Sequence, residues 1–580
     1  MPAQRPRRAV RAMAALLVFS GLFAILGTRL AWLQLDQGPA LAAAARAEQD
    51  RNLQILPARG QIVDSAGRVL AEDQMAASLY AIPPQVSDPS GEAAQVASIT
   101  GLPEPQILNA LGGHEQWVWV AHRLPQAQYQ ALLAAKLPGL YFQQEPQRVY
   151  PAGDLAASVL GFTGADGQGL DGAEYSFNKI LTGKPGDVRE GVDAYGNPLP
   201  AAPVRYTPPS NGQTVQLTLD STLQYLAQTQ LQATIQATHA VSGIALAMDT
   251  RTGAILAMAN EPSFNSNDWQ AAAPAVWRNP SVENDVQPGS AFKPVVAAAA
   301  IDTGKAAPGT RYPDPSGHIV IQGATIYNWN FIGLGLPTLT EGLEQSDNVV
   351  FSQVAMDLGV SDFYQYFDRF GFNHPTGIDL PGEASSVAPA PDKVRQLDLA
   401  TMGFGQTLAV TPLQLLTAVA AIANGGVLMW PHIEKAQLGP DGRPTLIVAP
   451  REVGRVVSPA TAAAVNQMMV AVVEQGLGQP AQVPGYWVAG KTGTAQIPSP
   501  KGGYIPNSYL VSFIGFAPAN HPALAVLVMV SQPQGANAFG STVAGPVFAR
   551  MIAQGLHDMG ITPDRPLPVL TGSATATGGH

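Results

Sequence analysis

The run from Ala12 to Leu33 constrains this chain most, because an apolar stretch of that length is satisfied in lipid only as a helix, whose backbone groups pair internally. Four arginines, Arg5, Arg7, Arg8 and Arg11, precede it. A membrane span needs about 20 residues. Met13 to Leu33 reaches that length if Arg29 snorkels to the far interface beside an interfacial Trp32. The rival is a cleaved signal peptide, since Ala12 to Gly27 also reads as its apolar core. Small residues suited to cleavage, Ala42 and Ala44, lie far beyond that core, which favours an uncleaved anchor. The arginines then place the N-terminus in the cytoplasm and everything after Leu35 outside it, with the plasma (inner) membrane crossed once.

At 580 residues in total, the chain beyond that run is long enough for more than one domain. Its 46% hydrophobic content is that of a globular chain. The net charge of −10 argues against nucleic acid as a partner. Cysteine is absent, which excludes disulfides and thiol chemistry. The nine histidines, including His374 and His432, show no metal-binding spacing, so neither metal nor cofactor is expected. A helix is read over Ala40–Glu48, and a hairpin around the turn Ser65-Ala66-Gly67. Glycine-rich turns at Tyr150–Gly153 and Asp166–Glu174 carry no phosphate-loop context. Composition shifts to turn formers near Tyr206–Gly212, a domain boundary. Beyond it, Ile244–Met248 and Ala254–Met258 form a hairpin, and Tyr486–Gln496, Tyr509–Phe516 and Ala523–Val530 read as three more strands. Ala-rich helices, Leu413–Ala423 and Ala460–Val473, lie between. A sheet assembled from both ends of a domain, with helices inserted, is a mixed α/β (α+β) architecture.

The chemistry centres on Val286–Pro294. Ser290 follows a Pro-Gly turn and opens an apolar, Ala-rich helix closed by Gly304, with Pro294 tolerable in its first turn. Residues three apart share a helix face, so the Ser290 hydroxyl and Lys293 amine can meet. Alone, Ser-x-x-Lys is weak. Ser346-Asp347-Asn348 and Lys491-Thr492-Gly493-Thr494 strengthen it, because this ordered triplet resembles that of penicillin-binding proteins and serine β-lactamases. Gly485–Thr492 also fits the phosphate-loop pattern, but Tyr486, Trp487 and Val488 are too bulky for such a loop and no helix start comes after it. The reading is nucleophilic catalysis by Ser290 with neutral Lys293 as base, its charge disfavoured by burial and by Lys491. Ser346 relays the proton to the leaving amine and Asn348 orients the substrate. Lys491 and Thr492 bind a substrate carboxylate, and Gly493 lets substrate backbone lie along the strand. The N–H groups of Ser290 and Thr494 form the oxyanion hole.

Over nearly its full length the chain resembles a class B penicillin-binding protein, a monofunctional peptidoglycan D,D-transpeptidase. The shared stretches include Arg59–Asp64, Gly243–Phe264, Pro288–Lys293, Gly377–Glu383, Phe404-Gly405-Gln406, Thr411–Gln414 and Lys491–Ala495. Tyr150–Phe162 with Asp166–Glu174 is more similar to the cell-division and spore-cortex branches than to the rod-elongation branch. Asp347 stands where division-type members usually have Ser, and Gln287 where Glu is common. The resemblance implies a mainly antiparallel five-stranded sheet with flanking helices on an elongated N-terminal pedestal. It implies cross-linking of stem peptides at D-Ala-D-Ala in septal wall synthesis, and inhibition by β-lactam antibiotics. Implied partners are the lipid-linked peptidoglycan precursor, a polytopic glycosyltransferase of the shape-elongation-division-sporulation (SEDS) family and divisome-type membrane proteins. The alternatives are a D,D-carboxypeptidase or β-lactamase, a β-lactam sensor, or an elongation or sporulation role. The expected division is a cytoplasmic tail over 1–12, an anchor over 13–35, a non-catalytic pedestal over 36–208, a transpeptidase domain over 209–560 and a disordered tail over 561–580.

Overall fold

The computed structural model describes residues 5–115, 117–191, 204–499 and 501–566, so the tails read over 1–12 and 561–580 lie partly outside the described residues. Two compact units interleave along the chain. One holds the described parts of Met1–Ala58, Met75–Gln147 and Gly183–Ser210; the other holds those of Arg59–Gln74, Arg148–Thr182 and Asn211–His580. A single linear boundary near residue 208 does not reproduce this division, because two earlier stretches pack with the later one.

In the first unit the apolar N-terminus forms one helix, Arg5–Trp32, continued by a π-helical turn over Leu33–Gln37 and a helix over Gly38–Gln49. An 18-residue window within Ala9–Ala43 has a mean hydropathy of 2.2 and none of it is buried, as suits a helix whose solvent is lipid. Asp50–Ile55 pairs antiparallel with Gly186–Gly191. A separate small core gathers Leu79, Val96, Ile107, Leu111, Leu124 and Leu132. Asp88 starts the helix Pro89–Thr100 by accepting the Gly91 N–H, satisfying one otherwise orphaned donor.

The second unit is built on a five-stranded antiparallel sheet. Its elements in chain order are α1 (Ser221–Thr238), β1 (Ser242–Asp249), β2 (Ile255–Glu261), α2 (Lys293–Asp302), α3 (Leu339–Glu344) and α4 (Asn348–Arg369). Next come α5 (Pro412–Ala423), α6 (Pro459–Glu474), β3 (Ala489–Pro498), β4 (Tyr504–Ala517), β5 (Leu524–Ser531) and α7 (Gly545–Asp558). The strand order is β2-β1-β5-β4-β3, which leaves β3 on an edge. Successive side chains of a strand face opposite sides. Ile244, Leu246 and Met248 of β1 accordingly enter one core with α2 and α5, while Ala245 and Ala247 enter a second with α1 and α7. With both faces covered, the strands read as continuous apolar runs rather than as alternation. Asp249 makes the β1–β2 turn by accepting the N–H groups of Arg251 and Thr252.

The second unit is tied together by a buried ion cluster. Glu174, wholly buried, accepts from Arg59 Nε at 2.6 Å and Arg148 Nε at 2.6 Å, and Tyr150 donates to it at 3.2 Å. Residues 561–566, expected from composition to belong to a disordered tail, are held in place. Asp564 accepts the Trp487 N–H at 3.0 Å and Arg565 pairs with Glu474 at 2.7 Å.

Candidate active site

Ser290 lies in a 3₁₀ turn, Gly289–Phe292, that leads into α2, and Pro294 occupies the first turn of that helix, where no N–H is required. Gly289 takes φ +55° and packs so closely on β3 that a Cβ there would lie 2.9 Å from the Ala495 Cβ. From the other side its N–H donates to the Gly405 carbonyl at 3.0 Å. A Cβ on Gly405, itself at φ +76°, would fall 2.2 Å from the Gly289 oxygen. The Ser290 turn is therefore clamped between an edge strand and the Phe404–Gln406 loop. Every residue from Lys293 to Ala300 is buried, so α2 is a core helix that presents its N-terminal end.

Lys293 is wholly buried. Its amine lies 2.7 Å from the Ser346 carbonyl oxygen, 2.9 Å from Asn348 Oδ1 and 3.3 Å from Ser346 Oγ. Among the described residues no hydrogen bond joins it to Ser290. Ser346 adopts φ +57°, uncommon for a residue with a side chain and of a kind found where function fixes the backbone. Burial pushes the Lys293 amine far below the usual lysine range, and the neighbouring charge of Lys491 pushes it the same way, against the opposing pull of Asp347.

Lys491, on β3, is also wholly buried and donates to Thr492 Oγ1 at 3.1 Å and to the Thr492 carbonyl at 3.0 Å. Burial alone brings its pKa down to about 7. Residue alternation on β3 places Thr492, Thr494 and Gln496 on a groove of about 1150 Å³ that Ser290, Ser346 and Asn348 also line. Lys293 and Lys491 are not among the residues lining it, whereas Thr492 and Thr494 are. A Cβ on Gly493 would come 2.2 Å from Ser512 Oγ, which accounts for glycine at that position. The bulky residues before Lys491 and the strand that carries it leave no phosphate loop.

Two features of the groove have no local sequence signal. Tyr327, Trp329, Phe331 and Phe539 give it an aromatic rim, with Trp329 and Phe539 rings 5.9 Å apart. Asn328, buried behind Asn348, accepts the backbone N–H groups of Asn348 at 2.8 Å and Val349 at 3.2 Å, fixing the start of α4.

The site thus groups a half-exposed serine, a buried amine short of charge, a second lysine and a hydroxyl-lined strand edge. That set suits attack on an acyl carbonyl beside a carboxylate. Residues 243–553 match the family described as "Penicillin binding protein transpeptidase domain", and residues 54–217 match the "Penicillin-binding Protein dimerisation domain". Stage V sporulation protein D of Bacillus subtilis is 35% identical over 93% of this chain and 84% of its own length. The peptidoglycan D,D-transpeptidase FtsI of Escherichia coli K12 is 31% identical over 92% of this chain and 90% of its own. The structure of penicillin binding protein 3 of Mycobacterium tuberculosis with aztreonam is 29% identical and superposes with a TM-score of 0.68, covering 89% of this chain and 99% of that one. With the sheet, the serine turn and both matched domains in one polypeptide, the chain belongs to the class B penicillin-binding proteins.

Proposed function

We propose that this chain is a serine-type peptidoglycan D,D-transpeptidase acting in septal wall synthesis, with Ser290 as nucleophile. One observation carries the reading: a wholly buried Lys293, held by the Ser346 carbonyl and Asn348 Oδ1, one helical turn from a groove-lining serine. A neutral amine has two N–H groups and one lone pair. The two acceptors that cannot donate take the N–H groups, which leaves the lone pair for a hydroxyl proton. Ser290 Oγ attacks the penultimate D-Ala carbonyl and its proton passes to Lys293. The tetrahedral oxyanion is held by the N–H groups of Ser290 and Thr494. Collapse breaks the peptide bond, and D-Ala leaves with a proton relayed from Lys293 through the Ser346 hydroxyl. The amine of a second stem peptide then attacks the ester, restores Ser290 and completes the cross-link. Thr492, braced by Lys491, takes the terminal carboxylate.

The same chemistry accepts a β-lactam, whose ring-opened acyl group stays on Ser290. Binding of that class is supported by the mycobacterial relative solved with aztreonam. The lipid-linked precursor, a SEDS-family glycosyltransferase and divisome-type membrane proteins are the partners that fit a membrane-anchored enzyme of this family. Among the described residues one helix is long and apolar enough to cross a membrane, which fits a single-pass membrane protein, with the N-terminus in the cytoplasm by the arginine rule.

Gel detection of a fluorescent penicillin tests the assignment. The native chain forms a long-lived adduct and Ser290→Ala forms none. Labelling of Ser290→Ala would refute the nucleophile, and an adduct lost within seconds would favour a β-lactamase.

A further inference from the structure

Among the described residues, ten that are not glycine adopt a positive φ, and five of these, Phe331, Ser346, Thr407, Asn507 and Gln532, line the catalytic groove. Left-handed backbone is costly for any residue with a side chain, and most of all for a β-branched one. Thr407, at φ +64°, is the one β-branched residue among the ten. The serine segment fixes its place from both sides. Before it, the Gly289 N–H donates to the Gly405 carbonyl at 3.0 Å. After it, Val286 and Val410 exchange two backbone hydrogen bonds, each of 2.9 Å. Thr407 is therefore the crest of a loop whose two feet stand on the Val286–Ser290 segment that delivers the nucleophile.

Its hydroxyl is oriented as well as placed. Thr407 Oγ1 lies 2.7 Å from Thr401 Oγ1 and, among the described residues, has no other hydrogen-bond partner. Thr401 Oγ1 lies 2.9 Å from the Asp398 carbonyl and 3.1 Å from the Leu397 carbonyl, neither of which can donate. One arrangement satisfies both hydroxyl protons. Thr401 donates back into its own helix, Gln396–Met402, and Thr407 donates to Thr401. The lone pairs of Thr407 Oγ1 are then left as acceptors without a donor, on a half-buried residue of the groove wall. Arg395 and Asp398, the charged residues of that lining, pair with each other at 2.7 Å, which leaves the wall neutral and suits an amide N–H.

We propose that Thr407 is a substrate-contacting residue whose hydroxyl oxygen accepts an N–H from a stem peptide seated in the groove. Glycine takes this φ without strain, so the threonine side chain is a cost to the fold, of the kind found where a group is set for a ligand. The peptide that acylates Ser290 and the amine-bearing peptide that accepts the acyl group both carry such N–H groups.

The proposal rests on the groove being the transpeptidase site, which labelling of Ser290 by penicillin checks separately in the native chain and in each variant. A native chain that fails to label would overturn both readings. Stopped-flow acylation of the full chain by a stem-peptide thioester separates binding from chemistry, and the ratio of aminolysis to hydrolysis with an added stem-peptide amine reports the acceptor. Thr407→Val keeps the branched shape and loses the hydroxyl. It should weaken the apparent affinity for one of the two peptides roughly 3–10-fold, with the acylation rate at saturation within about twofold of native. Weakening toward the thioester assigns the N–H to the donor peptide, and weakening toward the amine assigns it to the acceptor; either supports the contact. Thr407→Ser keeps the hydroxyl and should hold both affinities within about twofold of native. Thr407→Gly should bind as weakly as Thr407→Val yet melt no lower than the native chain. Unchanged affinity for both peptides in a penicillin-labelled Thr407→Val, equal weakening in Thr407→Ser, or a lower melting temperature in Thr407→Gly would overturn the proposal.

Discussion

A lysine sealed from water is a standing cost to the fold, and two of them stand behind this groove. Lys491 illustrates the sign. Its folded pKa of about 7 lies below the unperturbed 10.5, so between those values the unfolded chain binds the extra proton and stability rises with pH. The cost is largest at and below pH 7. Lys491→Met should therefore stabilise the chain by about 1–4 kcal/mol at pH 7, the gain shrinking toward zero near pH 10, while penicillin acylation collapses. Urea denaturation at both pH values checks this, and a destabilised variant would sink it. Lys293→Arg tests the base. Arginine stays protonated, so acylation of the folded fraction should fall roughly 10²–10⁴-fold across pH 6–9, and the permanently charged buried group should also lower the melting temperature. In the native chain acylation should be lost as pH falls through the lowered Lys293 pKa, since only the neutral amine accepts the Ser290 proton.

At the scale of elements, the serine turn is aimed by backbone packing. Gly405→Ala would put a Cβ 2.2 Å from the Gly289 oxygen at a φ unsuited to alanine. It should cost about 1–3 kcal/mol and slow acylation more than tenfold. Thr411→Ala removes only the cap of α5, in which Thr411 Oγ1 accepts the Gln414 N–H at 3.1 Å. It should cost about 1 kcal/mol and leave the acylation rate of the folded fraction unchanged. Thermal melts with stopped-flow acylation separate the two outcomes. Such elements differ in how far their residues announce them. The β1–β2 hairpin and the helices α5 and α6 were legible because turn chemistry and apolar periodicity are local. The three motifs were legible because their order is rare. The Lys293 contacts were not, since helical spacing carries no information about the acceptors 53 residues away on the α3–α4 turn. Nor was Asn328, whose role exists only once that turn folds against it.

Across the whole molecule, the catalytic unit is closed by stretches that chain order alone assigns to the pedestal. Arg59 comes from one early segment and Arg148 and Glu174 from another, and no local pattern links them. Glu174→Ala would leave two buried guanidinium groups without their shared carboxylate, at a cost of about 3–5 kcal/mol, comparable to the total stability of many domains. The expected result is insoluble or unfolded protein, although Glu174 is not among the residues lining the groove. The apolar N-terminal helix bears on location instead. Every residue that lines the groove or holds Lys293 belongs to the unit that contains Asn211 onward. A chain lacking residues 1–37 should therefore leave the membrane fraction and still be acylated by penicillin at a rate within about threefold of the native chain, because neither base nor nucleophile depends on the anchor. Loss of acylation in a truncated chain that melts at the native temperature would show instead that the anchor contributes to the geometry of the serine turn.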